Sequence, residues 1–264
     1  MNKYIIVLFF IFYSCNKSEI LIDEGYDIIV IAGQSNTLSG EWYDEVIDSS
    51  LFQIKQLGRI DSNNLKIIVA NEPLENHTVR QNKIGFGLVF AKEYLKHNLT
   101  KKILIIPCGH GSTGFINNRW NKGDDLYNDL VMRVNYIFNE FPRSNLKVIL
   151  WHQGEHDAIN NNLNYEYSLD KFINDLRTDL SDNSIPFILG GMVPYWVDKQ
   201  SNRINFQNII SETPFRIDNT AYANPLLPFV IDKTNNNHDT VHFDAVGQRE
   251  MGRRYFNKYL KLTE

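Results

Sequence analysis

The sequence predicts a three-layer α/β/α sandwich built on a central parallel sheet. Three observations carry that expectation. Short aliphatic runs recur at 26–32, 65–70, 102–108, 146–151 and 186–193. Segments with helical spacing stand between most of them. No internal repeat, low-complexity block or domain linker breaks the alternation. Runs this continuously apolar are buried on both faces, and strands buried on both faces belong to a parallel sheet covered by helices.

The elements follow in order. YDIIVIA (26–32) is the first strand and stops at Gly33; LKIIVA (65–70) is the second. GFGLVFAKEYLKHN (85–98) is a helix, because Leu88, Phe90, Ala91, Tyr94 and Leu95 recur on one face. KILIIPC (102–108) is the third strand. DDLYNDLVMRVNYIFNEF (124–141) opens on acids that favour a helix N-terminus and stops before Pro142. LKVILW (146–151) is the fourth strand, YEYSLDKFINDLRTDL (165–180) a helix and PFILGGMV (186–193) the fifth strand. INFQNIISE (204–212) is helical and PFVID (228–232) a short strand. DAVGQREMGRRYFNKYLKL (244–262) closes the chain as a helix with Asp244 as N-cap. The aperiodic stretches 33–64 and 214–243 read as long loops around a site.

Residues 1–15 stand apart. MNK gives a positive start, YIIVLFFIFY is a ten-residue apolar run, and Ser14-Cys15 follows. A bilayer span needs about 20 residues, so this run is the core of a secretion signal. FYSC resembles a bacterial lipoprotein cleavage site with Cys15 as the lipidated residue, although Phe12 and Tyr13 depart from the usual pattern. A plain signal peptide cut nearby is the alternative. The expected organisation is a signal at 1–15, a tether at 16–25 and one domain at 26–264. The mature protein is exported: a membrane-anchored lipoprotein, otherwise periplasmic or secreted, with any membrane contact made through the lipid.

Of 264 residues 43% are hydrophobic and 22% charged, enough apolar material for a sizeable core, and the net charge is -4. Nothing basic enough to favour a nucleic-acid partner is present. Of the two cysteines, Cys108 is left without an internal disulfide partner once Cys15 is assigned to the leader. It ends an apolar run and reads as a buried hydrophobe; His110, two residues on, is the base that a cysteine nucleophile would need.

A covered parallel sheet binds ligands beyond the carboxyl ends of its strands. The segments leaving those ends are GQSN (33–36), GHGSTGF (109–115) and HQGEHD (152–157), all polar and glycine-bearing. Ser35 follows the first strand directly. A serine hydroxyl needs a base in reach and a third group to orient that base. Asp239 and His242, in NHDTVHFDAVGQ, are close enough for one turn to hold carboxylate and imidazole together. His242 would take the Ser35 proton and Asp239 would fix its tautomer. The backbone amides of Ser35 and Gly111 and the side-chain amide of Gln153 are the candidate oxyanion donors.

Six blocks in this order, GQSN, GFGLVFAKEY, CGHGST, RWNKGDDLYNDLVMR, WHQGEHDA and DTVHFDAVGQ, resemble the SGNH-type carbohydrate esterases from about residue 27 to 256. The branch they are most similar to holds the acetylxylan esterases of carbohydrate esterase family six and the sialate O-acetylesterase domain. The resemblance implies an SGNH-hydrolase, flavodoxin-like fold. It implies Ser35 as nucleophile, His242 as base, Asp239 as its partner, and Ser35, Gly111 and Gln153 as the oxyanion hole. Gln34, Asn36 and Glu155 fall at substrate-binding positions, with Glu155 and Asp157 also read as buried braces and His238 as lining the site. The implied reaction removes O-acetyl groups from an acetylated carbohydrate through an acyl-enzyme, with no cofactor and no metal. Ser112 and His156 depart from the family pattern, which has glycine and serine there.

Other readings attach to the same residues. HQGEH (152–156) spells an inverted zinc-peptidase motif, but LKVILW before it is a strand and Gly154 sits inside it. A sugar-binding lipoprotein without catalysis, or an acyltransferase to a sugar, could use this fold. Trp42, Tyr43, Trp120, Tyr195 and Trp196 could stack on a sugar, although each alone reads as core or loop packing.

Overall fold

The computed structural model describes residues 25–232 and 239–264; the expected leader, Cys15, nearly all of the tether and His238 lie outside the described residues. Among the described residues seven strands form the middle layer: β1 (Asp27–Gly33), β2 (Ile54–Leu57), β3 (Ile67–Val69), β4 (Ile103–Gly109), β5 (Asn145–His152), β6 (Phe187–Gly190) and β7 (Thr220–Ala223). Their order across the sheet is β3-β2-β4-β1-β5-β6-β7. β1 lies at the centre because its residues suit no other place. All seven are buried, and Ile28 to Ile31 are β-branched chains that favour the pleated conformation. Asp27, at the far edge, is compensated by the Tyr94 hydroxyl at 2.7 Å.

Among the described residues seven α-helices cover the sheet: α1 (Gly87–His97), α2 (Asp125–Glu140), α3 (Glu155–Ile159), α4 (Tyr165–Asp179), α5 (Pro194–Val197), α6 (Ser201–Arg216) and α7 (Ala245–Thr263). On one face α1 meets α7, with Phe90 edge-on to Phe256 at 5.8 Å and Phe86, just before α1, stacked on Tyr255 at 4.4 Å. On the other, Phe172 of α4 lies 4.5 Å from Trp151, which Trp120 meets edge-on at 5.1 Å. Successive strand residues point to opposite faces. Trp151 therefore joins this second aromatic cluster, while His152 turns toward Tyr255 of α7. Asp244 caps α7 as expected, accepting from the Gly247 amide at 2.7 Å.

Several expectations change. The sheet is parallel except at one edge, where β3 runs antiparallel to β2. The half-exposed β3 is thus an edge strand rather than part of the parallel core. β2 and β7 lie inside the two stretches read as loops; at four residues each, IKQL and TAYA are too short to show a period. PFVID is not a strand. β7 already pairs with β6 at that side, Ile231 donates to the Pro225 carbonyl in a turn, and Phe229 and Val230 are exposed. The helix expected at 204–212 extends over Ser201–Arg216, through Pro214.

The register positions the site. Gly33 lies opposite Gly109 of β4 and His152 of β5. Three segments therefore leave the carboxyl edge of the sheet at one level, side by side. β2 and β4 flank β1 on one side, and β5, β6 and β7 lie on the other. The loop after β1 consequently opens where the winding changes direction.

Phe172 is wedged among Trp120, Tyr127, Trp151 and Phe187. Phe172→Ala should lower unfolding free energy by about 3–5 kcal/mol through lost burial and an unfilled cavity. Urea unfolding would show this as a lower midpoint at unchanged slope.

Candidate active site

β1 ends in a conformation that only glycine tolerates. Gly33 has φ +126°, and a β-carbon there would sit 2.1 Å from the His152 carbonyl oxygen. That same oxygen accepts from the Gln34 amide at 2.8 Å, so the chain leaves the sheet fastened to β5. One 3₁₀ turn follows, Ser35–Thr37, closed by the Thr37 amide and hydroxyl, both on the Gln34 carbonyl at 2.9 and 2.7 Å. Ser35 is thereby held at a strand end, with little freedom of backbone.

The Ser35 Oγ lies 2.7 Å from His242 Nε2, across 207 residues of chain. His242 Nδ1 lies 2.5 Å from Asp239 Oδ2. The other oxygen, Asp239 Oδ1, accepts from the amides of Val241 and His242 at 2.9 and 3.2 Å. Burial pulls this carboxyl upward, but the His242 imidazole and the Val241 amide outweigh it and hold it below the usual carboxylate range. The aspartate thus stays charged, with one oxygen committed to the backbone and one to the imidazole. Nδ1 is the protonated nitrogen, and Nε2 faces the serine as an acceptor.

Asn36 fixes these parts together. Its Nδ2 donates to Glu155 Oε1 at 2.6 Å and to the Val241 carbonyl at 3.0 Å, and its Oδ1 accepts from the Phe243 amide at 3.0 Å. Its own carbonyl accepts from Gln248 Nε2 at 2.8 Å. Glu155 is fully buried beside His152, 3.6 Å away. Burial opposes its charge, but the His152 imidazole above all and Asn36 in addition leave its pKa lowered. The Tyr255 hydroxyl donates to the Trp151 carbonyl at 2.7 Å and lies 3.2 Å from His152 Nδ1. Of the residues assigned to substrate, Asn36 and Glu155 are thus buried and engaged with each other. Gln34 Oε1 accepts from the His156 amide at 3.0 Å.

The opposite wall comes from the segment after β4. The Gly111 amide donates to Thr78 Oγ1 at a long 3.3 Å, a bond weak enough for a substrate oxygen to displace. Gln153 is fully buried, with Nε2 2.6 Å from Asp157 Oδ2. In this arrangement it braces the loop, and serving an oxyanion requires it to turn from that carboxylate. Asp157 is saturated, accepting also from the amides of Phe115 and Ile116 and from Asn162. Sequence reasoning missed the stretch 76–80. Asn76 Oδ1 holds the Gly109 amide at 2.8 Å, the His77 amide holds the Gly109 carbonyl at 3.0 Å, and Thr78 meets Gly111. The polar run NHTVRQN after Pro73 was the available signal.

The remaining candidates take other places. Cys108 is wholly buried, and burial pushes its thiol up to about 12, with Arg59 offsetting part of the effect. His110 Nδ1 bonds the Gly111 carbonyl. His152 ends β5 while α3 begins only at Glu155, so the histidines of the HQGEH pattern do not share a helix face. Trp120 and Trp196 are buried; Trp42 and Tyr195 are exposed, the latter beneath Lys199.

Residues 25–261 match the family model described as carbohydrate esterase, sialic acid-specific acetylesterase. A probable carbohydrate esterase of Arabidopsis thaliana is 27% identical over 178 residues, 61% of this chain and 66% of that protein. The chain therefore spans slightly less than two thirds of this relative's length. Among solved structures, NanS superposes with a TM-score of 0.76 at 18% identity, over 90% of this chain and 97% of that one. An Arabidopsis thaliana protein gives 0.73 at 21%, over 90% and 98%. A carbohydrate acetylesterase from Xanthomonas citri gives 0.63 at 18%, over 87% and 55%. These likenesses establish an SGNH-hydrolase-like fold, and with the match across nearly all of the described residues the chain belongs to the carbohydrate esterase, sialic acid-specific acetylesterase family.

Proposed function

We propose that the protein is a serine esterase that removes O-acetyl groups from carbohydrates through an acyl-enzyme. The observation that carries this reading is the unbroken line from Asp239 through His242 to Ser35, with contacts of 2.5 and 2.7 Å. As Ser35 Oγ attacks the acetyl carbonyl, His242 Nε2 takes its proton, and Asp239 stabilises the imidazolium. The carbonyl oxygen, now negative, accepts from the amides of Ser35 and Gly111, and from Gln153 as a third donor once that side chain turns from Asp157. Each such donor typically contributes about 10²–10³ in rate. His242 returns the proton to the departing sugar oxygen and leaves acetyl-Ser35. Water then attacks the acetyl carbon while His242 accepts its proton; His242 passes that proton to Ser35 Oγ as the acyl bond breaks, and acetate departs.

The family match supports a carbohydrate ester as substrate, and the family description names sialic acid. Within it, the sialate O-acetylesterase and acetylxylan esterase branch is the finer assignment. We also propose that the chain is exported and anchored through Cys15, on the apolar run and FYSC sequence of the leader.

Ser35→Ala should abolish hydrolysis of p-nitrophenyl acetate, and Asp239→Asn should lower kcat about 10⁴-fold. Equal rates in wild type and Ser35→Ala would sink the mechanism. Asn36→Ala should lower kcat far more than it changes KM, because Asn36 positions the His242 segment without facing the substrate. It should also cost about 1–3 kcal/mol of stability by unpairing buried groups. Incorporation of labelled palmitate in a bacterial host should occur in wild type and vanish in Cys15→Ser; label in neither would remove the anchor.

A further inference from the structure

We propose that Arg80 binds a carboxylate on the same sugar that carries the scissile acetyl ester, so that the enzyme selects acidic over neutral acetylated sugars. The inference rests on the esterase reading and names its substrate class. Three observations carry it.

The first is position. A β-carbon built on Gly111 would find three nearest heavy atoms: Arg80 Nη2 at 3.7 Å, Thr78 Oγ1 at 3.9 Å and Ser35 Cβ at 4.0 Å. None of these is a clash, so a methyl-sized group fits in front of Gly111 in van der Waals contact with all three. The candidate nucleophile, the candidate oxyanion donor and a guanidinium thus lie around one point.

The second is the state of that guanidinium. Arg80 is half-buried, and its Nε is shielded from solvent with no hydrogen-bond partner among the described residues. Arg177 closes on the carbonyls of Ile185 and Asn219, and Arg203 lies over the Trp196 ring, while four further withdrawn arginines close on a carboxylate. Arg59 and Arg133 share Asp129 at 2.9 and 3.1 Å, Arg249 holds Asp48 at 2.7 Å and Arg254 holds Glu250 at 2.9 Å. Arg80 forms no such pair among the described residues. A partly desolvated cation without a counter-charge is costly, and a ligand that supplies the charge recovers that cost.

The third is chemistry. The guanidinium is a planar fork of donors that matches a carboxylate in two parallel hydrogen bonds. A neutral acetylated sugar such as xylan offers nothing of the kind. A sialic acid and a hexuronic acid both do, each with the carboxylate on the same sugar residue that bears the ester.

The test compares full-length wild type, Arg80→Gln and Arg80→Lys on four substrates: O-acetylated sialic acid, its carboxyl methyl ester, O-acetylated oligogalacturonate and acetylated xylan. p-Nitrophenyl acetate serves as the reference ester. Arg80→Gln should lower kcat/KM on one acidic sugar about 10- to 100-fold more than on acetylated xylan or the reference, chiefly through KM. Methyl esterification should cost the wild type a similar factor and cost Arg80→Gln little. Arg80→Lys should recover part of the loss, keeping the charge without the fork. Whichever acid shows the larger loss identifies the source of the carboxylate. An equal change on all substrates, or no effect of methyl esterification, would overturn the proposal. If wild type hydrolyses none of the esters, the esterase reading fails separately. Saturation-transfer NMR with unacetylated sialic and galacturonic acids then decides on Arg80: binding lost in Arg80→Gln supports it, and equal or absent binding refutes it.

Discussion

One side-chain amide ties the site together. Asn36 joins the nucleophile turn to Glu155 beyond β5 and to the backbone at Val241 and Phe243, on either side of His242. It is wholly buried, so none of these bonds has water as a substitute. Aspartate would lose the two donors that serve Glu155 and Val241 and set two carboxylates face to face. Leucine would leave a carboxylate, a carbonyl and an amide buried without partners. The residue beside the serine is thus bound to be an amide of this length, for reasons that lie in the serine's supports.

Those supports include a charge placed where charge is expensive. Glu155 is ionised in the interior because His152 faces it and Asn36 donates to it. Its depressed pKa means that it contributes to stability above the ordinary carboxylate range, and that this contribution is lost as pH falls through the lowered value. His152 is held in turn by Tyr255, whose hydroxyl reaches back to the Trp151 carbonyl. The chain of contacts therefore runs from α7, through the end of β5, to the turn after β1.

Much of this was legible in the sequence, and the rest was hidden for identifiable reasons. β1, β4 and β5 announce themselves because strands buried on both faces must be continuously apolar. β2 and β7 do not: four residues at the flanks of the sheet carry too little pattern. The juxtaposition of Ser35 with Asp239 and His242 was readable because strand ends, glycine turns and a carboxylate three residues from a histidine each have a chemical rationale. Asn76, Thr78 and Arg80 were not readable. They belong to an aperiodic loop, and only the fold carries that loop from the β3 edge to the Gly109–Gly111 wall. Asn36 and Glu155 were located by sequence, and Glu155 was read there as a buried brace, yet the burial of Asn36 and its engagement with Glu155 are visible only in the structure.

The two halves of the proposed relay are held with different stiffness, and the difference follows from the topology. Ser35 rides on the central strand, where the register with β4 and β5 leaves its backbone almost no freedom. His242 rides on a short segment just before α7, so its position is inherited from that helix. α7 is set by the Asp244 cap, by the Ala245 amide on the Glu41 carbonyl and by the aromatic contacts of Tyr255 and Phe256 with Phe86 and Phe90. Any change that lets α7 slide along α1 moves the imidazole relative to a serine that cannot follow. A contact of 2.7 Å tolerates little such movement before the hydrogen bond is lost. The packing of α1 against α7, remote from any substrate, is therefore part of the machinery that keeps base and nucleophile in line.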